Sequence, residues 1–198
     1  MIALIDYRAG NIASVSNALA RFNVDFEVTN TLDKLEKADG VIFPGVGHAS
    51  SAMEALEEVN VDEWLVNTRK PVLGICLGMQ LLFESTEEGD AKTLGVIPGR
   101  LKKFDDTRAK VPHMGWNTLQ IKESHPLLKG LSDNQFFYFV HSFFAPINES
   151  TVATTDYIHP FAAVVAYNNF MGVQFHPEKS GKAGALLLQN FVNMVYKT

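Results

Sequence analysis

Val72-Leu73-Gly74-Ile75-Cys76-Leu77-Gly78-Met79-Gln80 contains the only cysteine of the chain and points to the fold class more directly than any other segment. Val72 to Ile75 is an apolar run of strand length, and Leu77 to Glu84 continues with helix-like composition. The segment therefore predicts a buried strand turning directly into a helix, with Cys76 on the turn. Gly-x-Cys-x-Gly is the thiol counterpart of the Gly-x-Ser-x-Gly elbow, in which small flanking residues permit a turn sharp enough to hold a nucleophile strained and exposed. A helix beginning just after the thiol favours thiolate and offers N–H groups, that of Leu77 first, to a developing oxyanion. The competing reading of a lone cysteine is a small buried hydrophobe.

A second stretch, Gly172-Val173-Gln174-Phe175-His176-Pro177-Glu178, weighs against that reading. His176 lies just past an apolar strand spanning Met171 to Phe175, and Glu178 is close enough to bond one imidazole nitrogen while the other faces the thiol. Nucleophile, base and orienter are then all present. Without Cys76 the same residues would read as a surface histidine and glutamate after a strand end.

In the rest of the first half, Ile2 to Ile5, Phe26 to Thr29 and Gly40 to Phe43 read as further short strands, and Ser14 to Phe22 and Ala49 to Glu58 as helices. Strands alternating with helices predict βαβ units and a parallel sheet with helices on both faces. Right-handed crossovers bring the strand C-terminal ends to one edge, where open α/β sheets bind ligands and where Gly45 and Cys76 fall. The second half differs. Arg100 to Phe104, Asn117 to Ile121 and Phe136 to Val140 read as strands without long helices between them, and Ala162 to Tyr167 pairs with Phe170 to Phe175 through an Asn168-Asn169 turn. Gly184 to Tyr196 reads as a closing helix. The expected fold is α/β: one flavodoxin-like domain over residues 1–198, with a mostly parallel open sheet and an antiparallel or mixed extension.

The 198 residues suffice for one core, and 46% hydrophobic with 20% charged residues is ordinary globular composition. The net charge of −5 comes from dispersed acids with no basic run, which argues against nucleic-acid or anionic-membrane binding. No apolar stretch has the length of a membrane span, and Asp6 and Arg8 interrupt the apolar start. One cysteine makes no internal disulfide, so a reducing, cytoplasmic location is expected. Neither a metal-ligand cluster nor a phosphate-binding glycine motif is present, so no metal or cofactor is expected.

These residues resemble those of the class I (triad) glutamine amidotransferases, whose elbow Gly-Ile-Cys-Leu-Gly-Met-Gln and distal Phe-His-Pro-Glu both stand here. Pro44-Gly45-Val46-Gly47, Val111-Pro112-His113-Met114-Gly115-Trp116-Asn117, Tyr138-Phe139-Val140-His141-Ser142 and Lys179-Ser180-Gly181 are most similar to the branch formed by the glutaminase subunits of imidazole glycerol phosphate synthase, in histidine biosynthesis. One departure is Arg8, at a place the family usually fills with glycine. The resemblance implies that Cys76, His176 and Glu178 hydrolyse glutamine, and that Val46 N–H in the Gly45-Val46-Gly47 loop is a second oxyanion donor. It also implies that Gln80 and the Ser142 and Phe143 backbone hold substrate. The partner it implies is a (β/α)8-barrel cyclase subunit in a heterodimer, with Trp116, Tyr138 and Lys179 near the interface and ammonia passage.

Taken alone, Gln80 also reads as a surface glutamine, Pro44 to Gly47 as a flexible connection, and Trp116, Tyr138 and Lys179 as core aromatics and a solvated lysine. His141 reads as a hydrogen-bonded core or cleft residue rather than a base. The Gly45-Val46 peptide is expected to turn its N–H away from the oxyanion position in the isolated chain and to rotate on acceptor binding. The alternatives are the amidotransferase subunit of anthranilate, aminodeoxychorismate or pyridoxal phosphate synthesis, a non-catalytic partner-binding relative, and a cysteine peptidase.

Overall fold

Consecutive residues of the first strand enter two different cores. Ile2 and Leu4 join one hydrophobic cluster and Ala3 and Ile5 the other; Ile42 and Leu73 likewise part from Val41 and Val72. A strand side chain alternates between faces, so a sheet apolar on both faces must be covered on both. The computed structural model, which describes residues 1–7 and 12–197, has that form. Arg8 lies outside the described residues.

In chain order the strands are β1 (Ile2–Ile5), β2 (Phe26–Thr29), β3 (Gly40–Gly45), β4 (Val72–Cys76), β5 (Phe83–Thr86), β6 (Ile97–Lys103) and β7 (His113–Thr118). They continue as β8 (Gln120–Ile121), β9 (Phe136–His141), β10 (Phe143–Phe144), β11 (Thr151–Tyr157), β12 (His159–Tyr167) and β13 (Phe170–Val173). The helices are α1 (Ile12–Ala20), α2 (Leu32–Lys37), α3 (Ala49–Glu57), α4 (Val61–Asn67), α5 (Leu77–Leu81) and α6 (Gly181–Tyr196). The main sheet runs β2-β1-β3-β4-β13-β12-β11-β8. Strands β2 through β13 in that order are mutually parallel, and β12, β11 and β8 extend the sheet antiparallel. Val15 and Leu19 of α1 and Leu187, Leu188 and Phe191 of α6 cover one face. Leu35, Leu56 and Leu65 from α2, α3 and α4 cover the other.

Two sequence expectations change, and one strand was not anticipated. The helix after Cys76 stops at Leu81 rather than Glu84, because Met79, Leu81, Leu82 and Phe83 are all buried. One helical stripe cannot bury them all, so the chain straightens and Phe83 pairs with Ile97. Asn117 to Ile121 is two strands, with β7 pairing β9 and β8 pairing β11, and the buried Leu119 marks the change of sheet. Strand β11 had no hydrophobic signal; it buries Thr151, Thr154 and Thr155, and the Thr155 hydroxyl donates to the Thr118 carbonyl at 2.9 Å.

Candidate active site

The elbow is built by close backbone approach. A Cβ on Gly78 would stand 1.8 Å from the Phe43 carbonyl oxygen, and one on Gly74 would stand 2.7 Å from the Met79 nitrogen. Glycine at both places lets α5 lie directly against β3 and β4. Cys76 takes φ 54°, ψ −110°, a strained conformation for a residue with a side chain, and it does so at the C-terminal end of β4. Its backbone pairs with Gly45 at the end of β3, so nucleophile and glycine loop share the sheet edge.

His176 and Glu178 reach the same place from β13. His176 Nδ1 bonds the Glu178 Oε1 at 2.8 Å, and both side chains are buried. His176 Nε2 makes no hydrogen bond among the described residues, and neither does Glu178 Oε2. Burial alone would push the imidazole pKa down; the neighbouring Cys76 thiol and the Glu178 carboxylate reverse this and carry it to about 9. The ring is then an imidazolium at neutral pH. It stands beside the thiol, which has only distant contacts of its own, with the Val140 carbonyl at 3.9 Å and Gln174 Nε2 at 3.8 Å.

A cleft of about 350 Å³ opens over Cys76. Val46, Gly47, Leu77, Gln80, Ser142, Phe143 and His176 line it with Cys76, so the expected substrate and oxyanion residues meet there, while Gly45 lies beneath it. Val46 is 39% exposed, and Gly47 has φ +110° with open space around its Cα. Gln80 is buried, its NH₂ group donating at 3.0 Å to both the Phe143 carbonyl and Gln174 Oε1. The acceptor Oε1 is what Gln80 can offer a ligand.

Two partners of the cleft residues, Gln174 and His113, are given no such role in the sequence reading. Gln174 is fully buried and links Gln80 to the thiol; a glutamine between Val173 and Phe175 on an apolar strand was the available signal. His141 is a core residue, as expected, but with an unforeseen partner. His141 Nδ1 lies 2.7 Å from the Phe143 carbonyl and so carries the hydrogen, leaving Nε2 to accept from His113 Nδ1 at 3.0 Å. Both rings are neutral. Burial lowers the pKa of His113 to about 4; burial, with further pressure from His113 and His176, lowers that of His141 to about 3.

Beside the cleft lies the β7–β9 ribbon. Trp116 pairs with Tyr138 across it, their rings 5.8 Å apart, and Lys179 Nζ sits 5.8 Å from the Tyr138 ring centre. Trp116, Met114 and Phe136 are 56%, 62% and 58% exposed, so Trp116 is not a core residue. Among the described residues, no cluster of three or more His, Cys, Asp or Glu could hold a metal, and no helix is long and apolar enough to cross a membrane.

The family model for class-I glutamine amidotransferases matches residues 3–195. The chain belongs to that family. Among the amidotransferases it resembles are proteins named imidazole glycerol phosphate synthase subunit HisH. The one from Bacteroides fragilis is 48% identical over 195 residues, covering 98% of this chain and 99% of the relative. The one from Haemophilus influenzae is 47% identical over 194 residues, covering 98% of each. A crystal structure described as a glutamine amidotransferase superposes with a TM-score of 0.77 at 15% identity, covering 99% of this chain and 100% of that one. A structure described as PurLQS from Thermotoga maritima gives 0.73 at 19% identity, covering 98% of each chain. These two structures share the fold of this chain across a wide sequence distance.

Proposed function

We propose that this amidotransferase is the glutaminase component of an imidazole glycerol phosphate synthase, hydrolysing glutamine to glutamate and ammonia for a cyclase subunit. The observation that carries the reading is Cys76 at a strained elbow, facing one cleft with a His176 imidazole anchored by Glu178. The names of the full-length relatives favour this branch over the anthranilate, aminodeoxychorismate and pyridoxal phosphate systems.

In the proposed cycle the Cys76 thiolate attacks the side-chain carbonyl carbon of glutamine, and the carbonyl electron pair becomes an oxyanion. Leu77 N–H and Val46 N–H receive it, each worth about 3 kcal/mol in the transition state. As the C–N bond breaks, His176 gives its proton to the departing nitrogen and ammonia leaves, with a γ-glutamyl thioester on Cys76. Neutral His176 then takes a proton from water, hydroxide adds to the thioester, and glutamate and thiolate are released. Glu178 holds the imidazole tautomer throughout. Gln80 Oε1 and the Ser142 and Phe143 backbone bind the amino-acid end of glutamine.

Ammonia needs an acceptor site, and the cleft offers none beyond glutamine's. The cluster of exposed Trp116 and Lys179 with half-buried Tyr138 is assigned to the cyclase interface, a (β/α)8 barrel in this reading, because it combines aromatic anchors with one cation. The test is glutamine hydrolysis by this chain alone and with the cyclase encoded by the same genome. Production of glutamate, together with glutamine-dependent cyclisation in the mixture, supports the proposal; no glutamate in either case refutes it.

A further inference from the structure

Tyr7 is a buried titratable side chain beside the elbow to which the proposed cycle gives no task. It follows β1, is 2% exposed and packs its ring 5.3 Å from that of Phe43. Its hydroxyl has no hydrogen-bond partner among the described residues. A Cβ on Gly45 would stand 2.2 Å from that oxygen and 2.9 Å from both the Gly78 nitrogen and the Leu77 Cβ, so the hydroxyl lies against the Cα of Gly45 beside the elbow, and Tyr7 is not among the residues lining the cleft. The cost of burial, and secondarily the nearby Cys76, hold the phenol pKa far above its ordinary value, so the group keeps its proton and is a donor. A donor buried without an acceptor is destabilising, and a fold that retains one calls for a physical reason.

Peptide geometry supplies one. The N–H and C=O of a trans peptide point in opposite directions. When the Gly45-Val46 peptide presents Val46 N–H to the cleft, the Gly45 carbonyl must point the opposite way, and the Tyr7 hydroxyl against the Gly45 Cα is a buried donor beside it. Without a donor there, the turned peptide would bury an unpaired carbonyl.

We propose that Tyr7 is a positioning residue for the oxyanion loop, its hydroxyl donating to the Gly45 carbonyl in the form whose Val46 N–H faces the substrate. The inference rests on the glutaminase reading and deepens it. Tyr7 touches no reacting atom; it biases the population of the competent loop.

The test is Tyr7→Phe, which removes one oxygen and keeps the ring, assayed in the complex with the cyclase. The expected result is a fall of about tenfold in kcat for glutamine, with KM changed by less than about twofold, the size expected when one hydrogen bond is lost. The melting temperature should hold or rise, because an unpaired buried hydroxyl is gone. Iodoacetamide alkylation of Cys76, a displacement needing no oxyanion site, should keep its rate and pH profile. Unchanged kcat in Tyr7→Phe overturns the inference while the wild-type glutaminase stands. An altered alkylation pH profile overturns it in favour of a direct effect on the thiolate. A wild-type protein that alkylates but does not hydrolyse glutamine removes the underlying reading instead.

Discussion

The elbow and the β7–β9 ribbon meet at the same cleft and are built on opposite principles. At the elbow the backbone is crowded, with Gly74 and Gly78 leaving no room for a methyl group and Cys76 held in a strained conformation. On the ribbon the backbone is regular, and large side chains, Met114, Trp116 and Phe136, stand in solvent. Crowding fixes a reactive atom to the sheet edge, where displacement of about 1 Å is costly to catalysis. An exposed aromatic face leaves a surface whose burial a partner must complete. In the proposed reading chemistry and docking are therefore separable, although the His176 backbone N–H donates to the Tyr138 carbonyl at 2.8 Å and thereby joins the two.

The separation can be broken by substitution on either side. Cys76→Ala should lower glutamine hydrolysis more than about 10⁴-fold, while the complex still uses added ammonium. Loss of the ammonium-dependent reaction as well would show that elbow and docking surface are one unit. Glu178→Gln should cost less, about 10²- to 10³-fold. It should also move the alkaline limb of kcat/KM below the value near 9 set by the His176 proton, because the carboxylate helps to hold that proton. A limb that stays in place would mean that Glu178 does not control the imidazole.

Stability and affinity sharpen the contrast. Gly78→Ala should destabilise by about 3 kcal/mol or more, since the Phe43 carbonyl 1.8 Å away is backbone and cannot step aside; urea unfolding measures it. Trp116→Ala should change the stability of the isolated chain by less than about 0.5 kcal/mol but weaken the complex by about 2 kcal/mol. Calorimetric titration with the cyclase separates these. A pH effect concerns the His113–His141 pair at the end of the ribbon. Both pKa values are lower in the folded protein than the ordinary 6.5. The unfolded chain therefore binds protons that the folded one refuses, so stability is complete above about pH 6.5 and declines as pH falls toward 4. A urea midpoint equal at pH 7 and pH 5 would show that the pair is not neutral in the fold.

Much of the elbow half was legible in the chain. Apolar runs of strand length, Gly-x-Cys-x-Gly and His-Pro-Glu are local signals, and local sterics translate them into strand, turn and cleft edge. The second half was less so. Strand β11 hides behind threonines, among which the Thr155 hydroxyl finds its acceptor only once β7 lies beside it, and α5 is cut short by burial demands that Phe83 meets through β6. Gln80 and Gln174 were visible as residues, but their bond to each other joins positions far apart in sequence.

The alternation of strands and helices, the family, and the candidates proposed as nucleophile, base and orienter could all be read along the chain, because each is written in neighbouring residues whose geometry is local. Folding in three dimensions was needed to bring His113 and His141 together as hydrogen-bonded neutral rings, to leave Trp116 in solvent, and to lay the Tyr7 hydroxyl against Gly45. Those facts depend on which strands pair and which faces are covered, and that is settled by the burial of the whole chain at once rather than by any segment of it.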